Sequence, residues 1–251
     1  MPVTDEGFTS RTARLIGEDG VARLKNSTVM ILGLGGVGGY VLEGLARAGV
    51  GRFILADCDV FTESNLNRQI LATRDTIGRK KTEVARERVN AIEPEAEAEV
   101  LTFDAFLDAA TVPELFSRGD ISFCVDAVDN VTAKIAAITE AKKRNIPVLT
   151  CAGTGNHLDL TRFVVGDIEK SSVCPLARVL RTELRRRGIR GVTALWSTEP
   201  PVKETAGDGG RLPPASISYV PSVAGLIIAG YVIRTLAGVA DPAENKKDVP
   251  L

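Results

Sequence analysis

Cysteine pairs are missing from this sequence of 251 residues. The cysteines stand far apart, at Cys58, Cys124, Cys151 and Cys174. Without a CxxC pair, a structural zinc site of the usual spacing is not supported. Residues 1–12 are polar and do not resemble a secretory leader, so we expect reduced thiols and a cytoplasmic location. Their positions in or beside the strands described below place Cys58, Cys124 and Cys151 in the expected core.

Neither sign of charge is in excess, with 31 basic and 32 acidic side chains. This balance gives no global positive field, so contact with a nucleic acid needs a local basic patch. A long unbroken apolar run is also missing, because Pro221, Tyr231 and Arg234 interrupt the most apolar stretch, residues 220–239. We expect this stretch to form a buried helix without stable membrane insertion, and peripheral membrane association is kept as the alternative.

Short β-rich runs alternate with helical segments in the first half of the sequence. Strands are predicted at residues 28–32, 52–56, 98–102, 121–125 and 146–150, and helices at 37–48, 80–91 and 131–144. Strands that alternate with helices are typical of βαβ units with right-handed crossovers. The sequence therefore predicts an α/β fold, with a Rossmann-like, mainly parallel sheet that carries helices on both faces.

The second half is less regular. Strands are predicted at residues 161–165 and 192–196, a basic helix at 175–188, a glycine- and proline-rich loop at 204–214, and a polar tail at 240–251. We expect these elements to extend the same sheet. Residues 1–251 would then form a single domain, with a nucleotide-binding half at 1–155 and a substrate half at 156–251.

A glycine loop follows the first predicted strand directly and opens a helix. Gly33, Gly35, Gly36 and Gly38 match the GxGxxG pattern, which lets the backbone approach a phosphate at the helix N-terminus. Asp57 ends the second predicted strand, where an acid can bond to ribose hydroxyls. The sequence therefore predicts a nucleotide site, although this motif alone does not separate NAD from ATP.

A polar segment behind Asp57 favours ATP. Asp59, Asn65, Arg68 and Gln69 form a dense group of hydrogen-bonding side chains, and Lys81 follows at a helix start. Arginine and lysine near a glycine loop suit a triphosphate, which carries more charge than the pyrophosphate of NAD. An NAD-dependent dehydrogenase is kept as a less favoured hypothesis.

An aspartate follows the fourth predicted strand. Asp129 is placed to hold Mg²⁺ on the phosphates, because Mg²⁺ favours one or two carboxylates together with phosphate oxygens. Asn130 follows it and is included in the predicted nucleotide site. Asp129 could instead, or in addition, be the N-cap of the next helix.

The motifs GLGGVGG, DxDxxxxSNLNRQ, GRKK and DAxDN, in this order, resemble the E1-like superfamily of ThiF and MoeB. That resemblance implies adenylation of a carboxylate, with Asn65, Arg68 and Lys81 acting on the phosphates. It also implies a homodimer in which an N-terminal arginine reaches the partner's nucleotide. Arg14 is preferred for this role over Arg11.

The second half resembles the tRNA threonylcarbamoyladenosine dehydratase branch of that superfamily, through segments that include DIEK, CPLAR and STEPP. The branch implies ATP-dependent closure of the threonylcarbamoyl group on adenosine 37 of a tRNA. An alkali metal ion and a sulfur-transfer protein are left open as cofactor and partner. The alternatives are an activator of a sulfur-carrier or ubiquitin-like protein, with Cys174 as a working thiol, and a non-enzymatic nucleotide-binding scaffold.

A basic run in the second half is a candidate tRNA contact. The arginines of this run could contact the phosphates of an anticodon stem. The candidates are Arg178, Arg181, Arg185 and Arg186, with Arg187 and Arg190 close by. The same run could be a solvated helix face paired with acids such as Glu183. The single histidine, His157, is expected on the surface.

Overall fold

The computed structural model describes residues 7–92, 99–202 and 214–239. Its strands are β1 (Thr28–Leu32), β2 (Arg52–Ala56), β3 (Glu99–Phe103), β4 (Phe123–Asp126), β5 (Val148–Cys151), β6 (Phe163–Asp167) and β7 (Thr193–Ser197). Its helices are α1 (Ser10–Lys25), α2 (Gly38–Arg47), α3 (Lys81–Ile92), α4 (Thr111–Leu115), α5 (Val131–Lys143), α6 (Pro175–Arg186) and α7 (Tyr219–Ala237). The predicted tail at 240–251 and almost all of the predicted loop at 204–214 lie outside the described residues.

The strands form one sheet in the order β3-β2-β1-β4-β5-β7-β6. All neighbouring strands are parallel except β6, which pairs antiparallel with β7 at the edge. Because β7 pairs with β5, the second half extends the sheet of the first, as predicted. From β1 the chain adds β2 and β3 on one side and then crosses to the other side to add β4. Open α/β sheets bind their ligands at this kind of switch point, here between β1 and β4.

Successive residues of β1 pack on opposite faces of the sheet. Val29 and Ile31 belong to the core that includes residues of α2, α3 and α7. Met30 and Leu32 belong to the core that includes residues of α4, α5 and α6. This alternation is the two-residue period of a strand, and it confirms the prediction of helices on both faces.

Helix α7 packs closely on α2. A Cβ atom at Gly225 would lie 2.5 Å from the carbonyl oxygen of Val37, and one at Gly44 would lie 2.7 Å from Cβ of Ala229. The small residues therefore let the two helices approach. By length and composition α7 is apolar enough to cross a membrane, yet half of its most apolar window is buried. The prediction of a buried helix is confirmed, whereas membrane association stays a prediction.

Two helices were not predicted from the sequence. In α1 the backbone of Gly17 is non-helical (φ 76°, ψ 161°), so the helical pattern is split into two short pieces. Helix α4 is only five residues long. In addition, the start of the strand predicted at 161–165 is a 3₁₀ turn, Leu160–Arg162, and the strand begins at Phe163.

Candidate active site

A cleft of about 760 Å³ opens at the carboxyl ends of the parallel strands. It lies at the point where the sheet reverses its direction, because residues after β1, β2, β4 and β5 all line it. The predicted site residues that line the cleft are Gly33, Gly35, Gly36, Asp57, Asp59, Asn65, Arg68, Gln69, Lys81, Asp129 and Asn130. The fold thus brings most of the predicted nucleotide site together.

Close backbone contacts at both ends of the glycine loop leave no room for a side chain at Gly33 or Gly38. A Cβ atom at Gly38 would lie 1.8 Å from the carbonyl oxygen of Gly33. Gly33 itself has a φ of +86°, and a Cβ there would lie 2.8 Å from the carbonyl oxygen of Ala127. Gly38 does not line the cleft but begins α2 beneath the loop. The loop is a bare backbone cradle of the kind that approaches phosphate groups.

Asp57 holds the glycine loop as well as facing the cleft. Its Oδ2 accepts a hydrogen bond of 2.7 Å from the backbone N–H of Leu34, and its Oδ1 accepts one of 2.9 Å from the N–H of Asp59. Burial raises the pKa of this carboxyl above its ordinary value, although Lys81 and the two N–H donors oppose the shift. The expected ribose acid is therefore also a structural brace for the loop.

Lys81 begins α3 and turns into the cleft. Its Nζ lies 2.7 Å from Oδ2 of Asp59 and 3.8 Å from Oδ2 of Asp57. The lysine side chain is 6% exposed, whereas that of Asp59 is 63% exposed. The positive charge is thus held at the cleft by a carboxylate that water or a ligand can reach.

The polar segment after β2 contributes a second cation and unsatisfied hydrogen-bonding capacity. Nη1 of Arg68 donates to the carbonyl oxygen of Ser64 (2.8 Å) and to Oδ1 of Asn67 (3.0 Å). The Oδ1 of Asn65 accepts from the backbone N–H of Thr62. Gln69 is 7% exposed, and its buried Oε1 has no hydrogen-bond partner among the described residues. A buried acceptor of this kind calls for a donor from a ligand or from water.

Asp129 stands exposed at the cleft, in the turn between β4 and α5. It is not the N-cap of α5. Asn130 is, and its Oδ1 accepts from the backbone N–H groups of Thr132 (2.8 Å) and Ala133 (3.4 Å). The capping alternative for Asp129 was therefore wrong, because the helix begins one residue later than that alternative requires. Asp129 stays available for a ligand.

The donors present fit a nucleotide with a hard cation. A carboxylate at Asp129, beside a glycine cradle and two cationic side chains, provides what Mg²⁺ needs when phosphates supply the other oxygens. Among the described residues, potential metal-binding atoms also converge at Asp57, Cys58 and Asp59. That group is less suited to a metal ion, because Asp59 already accepts a hydrogen bond from Nζ of Lys81. Asp57 likewise accepts hydrogen bonds from two backbone N–H groups.

Two predicted contacts lie outside the cleft. Arg14 is exposed on α1 and is not among the residues that line it. In the basic run, Arg185 pairs with Glu169, Arg186 and Arg187 pair with Glu183, and Arg181 donates to the carbonyl oxygen of Ser171. The paired, solvated helix face that we kept as an alternative is therefore present around Glu183. Such exposed pairs are worth little, so they do not prevent exchange for phosphates.

The positions of two cysteines and of the single histidine can be compared with those predicted from the sequence. Cys58 is exposed in the cleft and not in the core, because β2 ends two residues before it. His157 is buried, 6% exposed, with its Nδ1 3.5 Å from Oε2 of Glu199, so the surface position expected for it was wrong. Cys174 is also buried, and its thiol donates to the carbonyl oxygen of Ala152.

No cysteine in the described cleft is prepared as a nucleophile. Burial, together with the neighbouring charges of Asp59 and Asp57, raises the pKa of the Cys58 thiol. A raised pKa leaves little thiolate at neutral pH, and the thiolate is the reactive form. Chemistry at this cleft therefore rests on charge and positioning.

Two parts of the cleft lining were not predicted from the sequence. They are residues 105–107, after β3, and residues 153–155, after β5, on opposite sides of β1 in the sheet. The signal for both was their position directly after a predicted parallel strand, since the carboxyl ends of parallel strands share one edge of the sheet.

The sequence and the fold have close counterparts among known proteins. The tRNA threonylcarbamoyladenosine dehydratase of Bacillus subtilis (strain 168) is 40% identical over 240 residues, which are 90% of this chain and 93% of that protein. The dehydratase of that name from Escherichia coli (strain K12) is 37% identical over 196 residues, which are 75% of this chain and 72% of that protein. A crystal structure of the E. coli enzyme in complex with ATP matches with a TM-score of 0.84 at 30% identity, covering 98% of this chain and 100% of that chain.

Fold and cleft together define a Rossmann-like nucleotide-binding protein, with cationic side chains and an open carboxylate around a bare glycine loop. The family is then plain. The chain matches the ThiF family over residues 9–249 and belongs to it.

Proposed function

We propose that this protein is an ATP-dependent tRNA threonylcarbamoyladenosine dehydratase. It adenylates the threonyl carboxylate of N6-threonylcarbamoyladenosine at position 37 of a tRNA and closes that group to its cyclic form. The observation that carries the proposal is the cleft itself, where Lys81, Arg68 and Asp129 surround a bare glycine loop. Full-length similarity to dehydratases, one of them crystallised with ATP, selects the substrate.

The first step joins the carboxylate to the nucleotide. A carboxylate oxygen attacks the α-phosphorus of ATP, and pyrophosphate leaves. The N–H groups of the glycine loop and the cations of Lys81 and Arg68 offset the charge that develops on the phosphates. Asp129 would hold Mg²⁺, which neutralises phosphate oxygens when bound.

The second step closes the ring. The neighbouring ureido group attacks the activated carbonyl carbon and gives up its N–H proton to water, the carbon–oxygen bond to the phosphate breaks, and AMP leaves. Because attacker and acceptor belong to one molecule, high effective molarity supplies much of the rate. The enzyme needs no covalent intermediate, which agrees with the buried Cys174 and with the raised pKa of the Cys58 thiol.

Further partners follow from the family. A homodimer would bring Arg14 of one protomer to the nucleotide of the other. The arginines of α6, above all the exposed Arg178, would meet tRNA phosphates. A cytoplasmic location suits this substrate, and an alkali metal ion and a sulfur-transfer protein are left open.

The test is a reaction with ATP, Mg²⁺ and tRNA that carries the linear threonylcarbamoyl group, followed by nucleoside mass spectrometry and measurement of AMP. The proposal predicts loss of one water from the modified nucleoside. This loss should require ATP and should disappear in Asp129→Ala.

Two other results would redirect the assignment. Formation of AMP without a change in the tRNA would contradict the tRNA substrate and favour activation of a sulfur-carrier protein. If neither product formed with a folded, ATP-binding protein, the enzymatic proposal would fail and the nucleotide-binding scaffold would stand.

A further inference from the structure

A lysine and an aspartate lie fully buried behind the cleft. Lys134 of α5 and Asp126 at the end of β4 are both 0% exposed, with Nζ of the lysine 3.2 Å from Oδ2 of the aspartate. Removing two charges from water costs free energy that their attraction repays only with good geometry and further hydrogen bonds. Apolar residues of similar volume would pack here without that desolvation cost. A contribution to stability therefore does not explain why this position holds a charged pair.

The remaining hydrogen bonds of this pair reach two neighbouring strands. Nζ of Lys134 donates to the carbonyl oxygen of Cys151 (2.7 Å), at the end of β5. The hydroxyl of Thr150, also on β5, donates to Oδ2 of Asp126 (2.6 Å). The network therefore joins the carboxyl ends of β4 and β5, from which two walls of the cleft begin.

One branch of the network shapes the turn that carries Asp129. Oδ1 of Asp126 accepts a hydrogen bond of 3.2 Å from the backbone N–H of Val128. Ala127 lies between Asp126 and Val128, and its carbonyl oxygen packs against Gly33. A Cβ atom at Gly33 would lie 2.8 Å from that oxygen. The turn is thus fixed from below by Asp126 and from the side by the glycine loop, and Asp129 is the next residue.

The other branch reaches the part of the cleft lining that follows β5. The carbonyl oxygen of Cys151 accepts the hydrogen bond from Nζ of Lys134. The chain then continues into residues 153–155, which line the cleft. Gly153 has a φ of +110°, a conformation that side chains rarely adopt. The hydrogen bond to the carbonyl group of Cys151 therefore holds the backbone just before residues 153–155 of the cleft lining.

We infer that Lys134 is a positioning residue for magnesium-dependent nucleotide binding. It acts through Asp126 on the turn that presents Asp129, and its bond to the carbonyl group of Cys151 anchors Asp126 and that turn to β5. Lys134 does not touch the nucleotide. The inference rests on the proposed function, because it assigns the use of Asp129 to Mg²⁺.

The experiment compares ATP binding by calorimetry with and without Mg²⁺, a measurement that needs no turnover. Thr150→Val removes one donor to Asp126 and keeps the shape of the side chain. Loss of an outer-shell partner typically costs 10- to 100-fold, so we expect ATP affinity in Mg²⁺ to fall about tenfold. Affinity without Mg²⁺ should change little, and Thr150→Ser should keep most of the affinity because it keeps the hydroxyl.

Lys134→Met tests the lysine directly, with Lys143→Met, an exposed lysine on the same helix, as the matched control. A folded Lys134→Met protein should lose ATP affinity in Mg²⁺ by more than Thr150→Val, and Lys143→Met should not. The inference is overturned if the variants bind ATP in Mg²⁺ as the wild type does. It is equally overturned if they lose affinity to the same extent with and without Mg²⁺. A wild-type protein whose ATP binding ignores Mg²⁺ would instead overturn the magnesium assignment in the proposed function, and this inference with it.

Discussion

Two of the lysine–aspartate pairs at the carboxyl ends of the strands have different surroundings. In the cleft pair, Lys81 faces Asp59, whose side chain is 63% exposed. In the buried pair, Lys134 and Asp126 are both withdrawn from water, and Thr150 and Cys151 supply the remaining hydrogen bonds. The comparison teaches that residue type does not decide the role. A pair that water can reach is able to exchange partners for a phosphate, whereas a closed network can only hold its neighbours in place.

The largest expected difference concerns stability. Lys134→Met leaves the carboxylate of Asp126 buried without its cation, which should lower the free energy of unfolding by about 3–5 kcal/mol. Lys81→Met should lower it by less, because Asp59, the nearest partner of Lys81, is solvated and keeps its charge in water. Denaturant unfolding of both variants checks this, and equal losses in the two would break the distinction between the pairs.

The next effect concerns catalysis. Lys81→Met removes a cation that faces the phosphates, so we expect the rate of AMP formation to fall about 10²- to 10³-fold. The folded fraction should stay near that of the wild type. Steady-state assays alongside circular dichroism measure both quantities. A variant that keeps its rate within a few-fold would show that the cleft pair takes no part in the chemistry.

A smaller effect extends the contrast to the arginines of α6. Arg178 has no acidic partner among the residues that the structure describes, whereas Arg186 is paired with Glu183. If α6 meets tRNA, Arg178→Ala should weaken tRNA binding more than Arg186→Ala, and it should lower the slope of log affinity against log salt by about 1. Filter binding over a salt series checks this. Unchanged slopes in both variants would remove α6 from the tRNA surface.

The smallest effect comes from a third pair, in which the buried His157 lies beside the partly exposed Glu199. Burial lowers the pKa of His157 below 6.5, although the charge of Glu199 opposes the shift. Since the unfolded chain binds the proton more readily, the stabilising contribution is complete above the unfolded pKa and is lost as the pH falls from there through the folded pKa. The melting temperature should therefore drop as the pH falls below about 6.5. His157→Gln should make that drop shallower, and an unchanged pH profile would contradict the assignment.

Local motifs explain why so much of the cleft could be predicted. Gly33–Gly38, Asp57 and Lys81 each stand directly after a predicted strand or at a predicted helix start, so the strand order alone brings them to one edge. The buried pair carries no such signal. A lysine inside a predicted helix normally marks its solvent face, and only the tertiary position of α5 turns Lys134 toward Asp126. Similarly, His157 lies beside Glu199, which follows β7, so the contact joins two segments far apart in the sequence.

The central claim is that ATP activates the carboxylate of the tRNA modification at this cleft. The most direct measurement uses tRNA whose threonyl carboxylate carries ¹⁸O, with mass spectrometry of the AMP that is released. Adenylation followed by ring closure predicts AMP with one labelled oxygen, because the oxygen that attacks phosphorus leaves with it. Unlabelled AMP accompanied by the cyclised nucleoside would contradict adenylation of the carboxylate and would require a different route to the ring.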